Sequence, residues 1–156
     1  MWRNYRWAAL LLVAMISLSV RAQNPPTPNK RESRISSAVR AVLTAQSQAW
    51  NRGDLEGYMD GYARSPDTVF VSGDSVARGW QTVLDRYRKK YDSREKMGTL
   101  TFSDLEITTL GNDAALALGR WHLQRAQDEP HGRFSLILRR TKQGWKIVHD
   151  HSSAAS

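Results

Sequence analysis

The sequence predicts an α+β domain in which three helices precede an antiparallel sheet of long strands. Three observations predict it. Apolar residues recur at three- and four-residue spacing as far as Tyr91, the period changes to two after Gly98 and stays there, and short turns rich in Gly, Asn and Asp interrupt the second half. A chain of 156 residues holds one such domain around one core.

The first residues stand apart from that core. Arg3 and Arg6 precede an apolar run from Trp7 to Val20, and Val20-Arg21-Ala22 offers small residues to a signal peptidase cutting before Gln23. This is the layout of a secretory signal peptide over residues 1–22. The run is shorter than the roughly 20 apolar residues that span a bilayer, so no stable membrane insertion is expected after cleavage. A periplasmic or secreted protein is expected. Three prolines within residues 23–33 (QNPPTPNKRES) predict a flexible tether, followed by the folded domain over residues 34–153. There is no cysteine, so neither disulfides nor thiolate chemistry is available. Removal of Arg3, Arg6 and Arg21 leaves 20 basic against 15 acidic residues, lowering the net charge from +8 to +5. That weakens any case for nucleic acid, and no nucleic-acid partner is expected.

Each element has its own local warrant. Ile35, Ala38, Val39, Val42, Leu43, Gln46, Ala49 and Trp50 form one stripe of a helix that Asn51-Arg52-Gly53 ends. Asp54 stands where an N-cap belongs, ahead of a short helix carrying Leu55, Tyr58, Met59 and Tyr62. Residues 68–71 (TVFV) and the SVARG stretch flank the turn residues SGD and read as a hairpin. Trp80, Val83, Leu84, Tyr87 and Tyr91 give a third helix one apolar side. The cluster Arg86, Arg88, Lys89 and Lys90 is expected on its solvated side. Four strands follow: residues 99–110, with a phase shift near Ser103-Asp104 expected from a β-bulge, then AALALGRWHLQRA, RFSLILRRT and WKIVHDHSS.

Strict alternation assigns the faces. Arg120 and His122 share a face with Ala114, Leu116 and Leu118, while Ala115, Ala117, Gly119, Trp121 and Leu123 take the other. On the last strand His149 and His151 follow Trp145 and Ile147, and Asp150 points to the opposite side with Lys146, Val148 and Ser152. His149 and Asp150 are therefore no sequence-local dyad. Two histidines two apart on a strand lie about 6.5–7 Å from each other and can converge on one group. A metal pair would need a third ligand from His122, His131 or a carboxylate, and spacing places none; no metal and no cofactor are expected. The other readings are histidines hydrogen-bonded at the edge of a core, and a pocket wall that meets a polar or anionic ligand. Arg120 on a largely apolar face calls for an acid or an anionic ligand. Trp50, Tyr58, Trp80 and Tyr87 serve as core or as the aromatic wall of a pocket. The expected ligand site comprises Trp50, Tyr58, Trp80, Arg120, His122, His149 and His151.

The stretches AWNRGDLEGYMDGY, VFVSG with the later RGW, GRWHL, FSLILRRT and GWKIVHDHSS resemble the SnoaL-like, nuclear-transport-factor-2-like superfamily over nearly the whole domain, and within it exported bacterial domains of unknown function. The resemblance implies a cone-shaped, curved antiparallel sheet wrapped against three helices, with a pocket at its open end. It implies a homodimer paired through the outer sheet face, where Ala115, Ala117 and Trp121 are expected. Some relatives are isomerases, cyclases or dehydratases that use pocket carboxylates, tyrosines or histidines as acid and base. Others are ligand-binding or association modules. Val71 stands approximately where ketosteroid isomerases carry their catalytic aspartate, so that mechanism does not transfer. The expected function is an exported domain that binds a small polar or carbonyl compound, with acid/base isomerase, cyclase or dehydratase chemistry on it. The alternative is a non-enzymatic dimerising association module.

Overall fold

The computed structural model describes residues 29–155; the signal segment and most of the expected tether lie outside the described residues. Helix α1 (Lys30–Asn51) begins inside the stretch expected to be a tether. Asn29 caps it by accepting from the amides of Arg31 and Glu32, while the Glu32 carboxylate accepts from the Asn29 amide. This reciprocal box satisfies first-turn donors that a polar, proline-rich reading passes over. The stripe read from the sequence faces inward, with Ile35, Val39, Leu43, Gln46, Ala49 and Trp50 buried.

Helix α2 (Leu55–Met59) starts at Asp54, whose carboxylate accepts from the Gly57 amide at 2.7 Å. A hairpin of β1 (Val69–Ser72) and β2 (Ser75–Arg78) leads into α3 (Trp80–Lys90) and then into α4 (Arg94–Met97), a single turn without an apolar period to announce it. Strands β3 (Thr99–Thr109), β4 (Ala114–Gln124), β5 (His131–Thr141) and β6 (Gly144–Ser152) follow as a meander. The sheet order is β2-β1-β6-β5-β4-β3. Every pairing is antiparallel except β1 with β6, which run parallel and set Phe70 opposite Asp150. The sheet is curved and unclosed, with α1 packed along β3 and against α2, and α3 beside the hairpin.

Two bulges decide which residues face the helices. In β3 the register shifts between Ser103 and Glu106, where the phase change in the sequence predicts it, and Asp104 within the shift takes a left-handed φ of 51°. The second lies in β6. Leu138 pairs with Ile147 and Ile137 with His149, so Val148 is an extra residue and every side chain beyond it changes sides. Ile147 and Asp150 both point inward, whereas His149 and His151 do not. The faces of β4 also differ from expectation. Ala115, Ala117, Gly119, Trp121 and Leu123 are on the inner side, and Leu118, Arg120 and His122 on the outer. The reason is crowding on a concave face: a Cβ added to Gly119 would stand 2.5 Å from Phe134 Cζ and 2.8 Å from Leu105 Cδ2. Small residues are required there, and larger Leu116 and Leu118 go outside. Ala115 and Ala117 are fully buried, so they cannot form the outer pairing surface expected of them.

Candidate functional site

Between the helices and the concave face of the sheet lies a cavity of about 120 Å³. Trp50 from α1, Tyr58 from α2, Tyr62 just beyond it, Tyr87 and Tyr91 from α3 and Phe70 from β1 make an aromatic wall. The rings lock one another edge to face. Trp50 meets Tyr58 at 5.0 Å and Tyr91 at 4.7 Å, and Tyr58 meets Tyr87 at 5.3 Å between centroids. The Trp50 indole N–H donates to the Met97 carbonyl at 3.0 Å, which fixes its ring against α4. Opposite, Phe102, Trp121, Leu123, Phe134 and Leu136 supply the sheet side.

The polar centre of this cavity is Asp150. It is 3% exposed, and each carboxylate oxygen accepts one bond: Oδ2 from the Tyr62 hydroxyl at 2.6 Å and Oδ1 from the Ser152 hydroxyl at 2.7 Å. Burial pushes its pKa from the ordinary 3.8 up to about 6, against the smaller opposing pulls of the Tyr62 bond, the Ser152 bond and the charge of His151. The tyrosines shift for related reasons. Burial, and then the Asp150 charge, raise Tyr58 and Tyr62; burial, then Tyr58 and Asp150, raise Tyr87. All three keep their protons at neutral pH; Tyr62 donates to Asp150, and either hydroxyl of the Tyr58–Tyr87 pair can be the donor. The Tyr58 and Tyr87 hydroxyls lie 3.4 Å apart. The site therefore sets a buried carboxyl group with a pKa of about 6 beside phenolic donors.

The residues expected to form the site divide. Trp50 and Tyr58 line the cavity. Trp80 does not: its indole N–H donates to the Met59 carbonyl at 2.9 Å, and the Arg64 guanidinium covers its ring at 4.3 Å. Arg120 and His122 lie on the outer sheet face because the small residues take the inner one, and the His122 imidazole is 3.3 Å from the exposed Glu129 carboxylate. His149 and His151 are turned outward by the Val148 bulge. They pair opposite Ile137 and Ser135, whereas His122 pairs opposite His131, about 20 Å and about 13 Å away along β5 at the usual strand rise. Among the described residues no three His, Asp or Glu side chains are grouped so that they could hold a metal, and no helix is long and apolar enough to cross a membrane. Sequence reasoning passed over Asp150 and Tyr62 as cavity residues; of the basic cluster, Arg88, Lys89 and Lys90 are exposed as expected and Arg86 is half-buried, and Arg86 and Lys90 also line the cavity.

The chain ends its described course across the cavity. Ser153 and Ala154 line it, and the Trp121 indole N–H donates to the Ser153 carbonyl at 2.9 Å. Gly132 permits this passage, since a Cβ there would stand 1.9 Å from that carbonyl oxygen.

The profile of the SnoaL-like domain matches residues 39–156. Among solved structures, a nuclear-transport-factor-2-like protein of unknown function from Shewanella oneidensis is 38% identical, with a TM-score of 0.73, over 76% of this chain and 98% of its own. A nuclear-transport-factor-2-like superfamily protein from Salmonella enterica is 22% identical, with a TM-score of 0.66, over 80% of this chain and 93% of its own. A ketosteroid isomerase-like protein from Erwinia carotovora is 18% identical, with a TM-score of 0.62, over 77% of this chain and 95% of its own. The last two likenesses concern the fold alone. No curated protein matches the sequence. With the curved sheet, the helices against it and a profile match over most of its length, the chain belongs to the SnoaL-like family of the nuclear-transport-factor-2-like superfamily.

Proposed function

We propose that the cavity binds a small carbonyl compound and moves a proton on it, with Asp150 as the base. The observation that carries this reading is a buried carboxylate at the polar centre of an otherwise aromatic cavity, held by Tyr62 and Ser152. A base works best with a pKa near the operating pH, and burial brings Asp150 to about 6. In the reaction Asp150 takes a proton from the carbon next to the carbonyl. The C–H electron pair becomes the carbon–carbon π bond of an enolate, and the oxygen that gains negative charge accepts a hydrogen bond from Tyr58 or Tyr87. Where the substrate carries a β,γ double bond the enolate extends to a dienolate, and return of the proton from Asp150 to the γ carbon, with the double bond moving to the α,β position, gives a conjugated isomer; where it carries a β-hydroxyl, departure of that group with the proton as water gives a dehydrated product. Tyr62 is a positioning residue that keeps the carboxylate oriented.

Two further expectations belong to the same reading. The layout of residues 1–22 supports export, and the outer sheet face, with Leu118 and Ile137 more than one-third exposed, is the surface through which two copies would pair. The chemistry is tested by following α-proton exchange of 2-cyclohexenone and phenylacetaldehyde in deuterated water by NMR. Protein-dependent exchange that disappears in Asp150→Asn is expected. Exchange equal in both proteins, or absent from both, would contradict the reading.

A further inference from the structure

The basic cluster of α3 divides into two pairs with different surroundings. Arg88, Lys89 and Lys90 are exposed and Arg86 is half-buried; Arg88 is ion-paired with Glu56 and Asp85, and neither Arg88 nor Lys89 lines the cavity. Arg86 and Lys90, four residues apart and so on one helix face, line the cavity. Arg86 lies 5.3 Å from the centroid of the Phe70 ring and Lys90 5.3 Å from that of Tyr91. Neither takes part in any ion pair among the described residues. The one carboxylate in the cavity lining is Asp150, and Phe70, its neighbour across the β1–β6 pairing, carries Arg86 on its ring. The Asp150 oxygens accept from Tyr62 and Ser152, not from a cation. Favourable interaction with the helix dipole accounts for positive charge in the last turn of α3. It does not account for two cations that both border an aromatic cavity and lack a counter-charge.

We propose that Arg86 and Lys90 receive the carboxylate of the ligand, so that the cavity takes a flat aromatic or conjugated monocarboxylic acid with its anionic group toward α3 and its ring among Phe70, Tyr87 and Tyr91. This rests on the reading of the cavity as a ligand site and names the ligand's class. The guanidinium offers paired donors in one plane and the ammonium a mobile point charge, a combination suited to one carboxylate. The aromatic walls favour a ring over an aliphatic chain. A cavity of about 120 Å³ limits the ligand to a small one. Asp150 is left for the uncharged end of the ligand, because a second anion beside it would oppose its ionisation.

The test is calorimetric titration, at low ionic strength, of benzoate, phenylacetate and cinnamate and of their primary amides, which keep shape and lose charge. Wild type is expected to bind at least one acid tenfold or more tightly than its amide. Arg86→Met with Lys90→Met, which keeps the apolar stems, is expected to abolish that preference while amide affinity stays within twofold. Arg88→Met with Lys89→Met removes the same net charge from the same helix outside the cavity, and should leave the preference in place. Acids and amides bound equally by wild type, or a preference lost equally in both double variants, would overturn the proposal. Amide binding that persists in that event and weakens in Asp150→Leu would leave the cavity reading standing. Absence of binding by every acid and every amide would overturn both.

Discussion

The two faces of β6 put their ionisable residues in opposite surroundings. Outside, His149 is half-buried and His151 exposed on a sheet surface with Ile137 and Ser135 as neighbours. Inside, one residue from either histidine, Asp150 is closed off from water and held by two hydroxyls. A histidine at neutral pH is the more familiar proton carrier, and the sequence draws attention to the pair. Burial reverses the ranking. An exposed imidazole is one solvated group among many, whereas a carboxylate moved into an aromatic cavity acquires a pKa near neutrality and a fixed orientation. Position relative to one bulge, more than residue type, decides which group is placed to act.

The sharpest way to break this comparison is to remove each side in turn. Asp150→Asn is expected to lower α-proton exchange by about 10²–10⁴-fold, while His149→Ala and His151→Ala change it less than twofold. The reverse ranking would place the chemistry on the outer face.

A second comparison uses stability. Because folding raises the Asp150 pKa from 3.8 to about 6, the folded chain holds a proton that the unfolded chain releases between those values. The contribution of this group is therefore fully present below pH 3.8 and is lost as pH rises through 6. The loss is on the order of 3 kcal/mol at about 1.4 kcal/mol per unit. In urea titrations from pH 4 to pH 7, Asp150→Asn should gain stability relative to wild type by that order; a constant difference across the range would mean the carboxylate is not desolvated. Tyr62→Phe sharpens the same point. It removes a bond that holds the pKa down, so the midpoint of the pH dependence should move higher.

Smaller effects distinguish the two faces of β4. Gly119→Ala forces a methyl against Phe134 and Leu105 and should cost about 1–3 kcal/mol in chemical denaturation. At the other extreme, Arg120→Ala and His122→Ala, both on the outer face, should each change stability by less than about 0.5 kcal/mol.

Much of this fold is legible in the sequence, because its elements are local. The stripe from Ile35 to Trp50, the Asp54 cap, the hairpin around Gly73 and the four strands after Gly98 each have a period or a turn residue of their own. The Ser103 bulge is legible because polar turn-forming residues interrupt an apolar alternation. The β6 bulge is not. Ile147 and Val148 are both β-branched and apolar, so either can face the core, and Phe134, Leu136 and Leu138 alternate without a break opposite them. Without the extra residue Leu136 would lie opposite His149; with it, Leu136 pairs with Asp150. The parallel neighbour β1 arises from a long-range pairing that no local pattern encodes. Tyr62 was visible as an apolar helix residue, and nothing near it in the chain indicates a partner 88 residues away. On β4 the apolar side chains Leu116 and Leu118 suggest an inner face, but curvature favours the smaller residues beside them.

The most direct test of the central claim is an NMR titration of the Asp150 carboxyl carbon in the folded protein, assigned by loss of its signal in Asp150→Asn. A midpoint near pH 6, moving upward in Tyr62→Phe, is the predicted result. A midpoint near 4, unchanged by that substitution, would mean that Asp150 is solvated and that the cavity lacks the base on which this account depends.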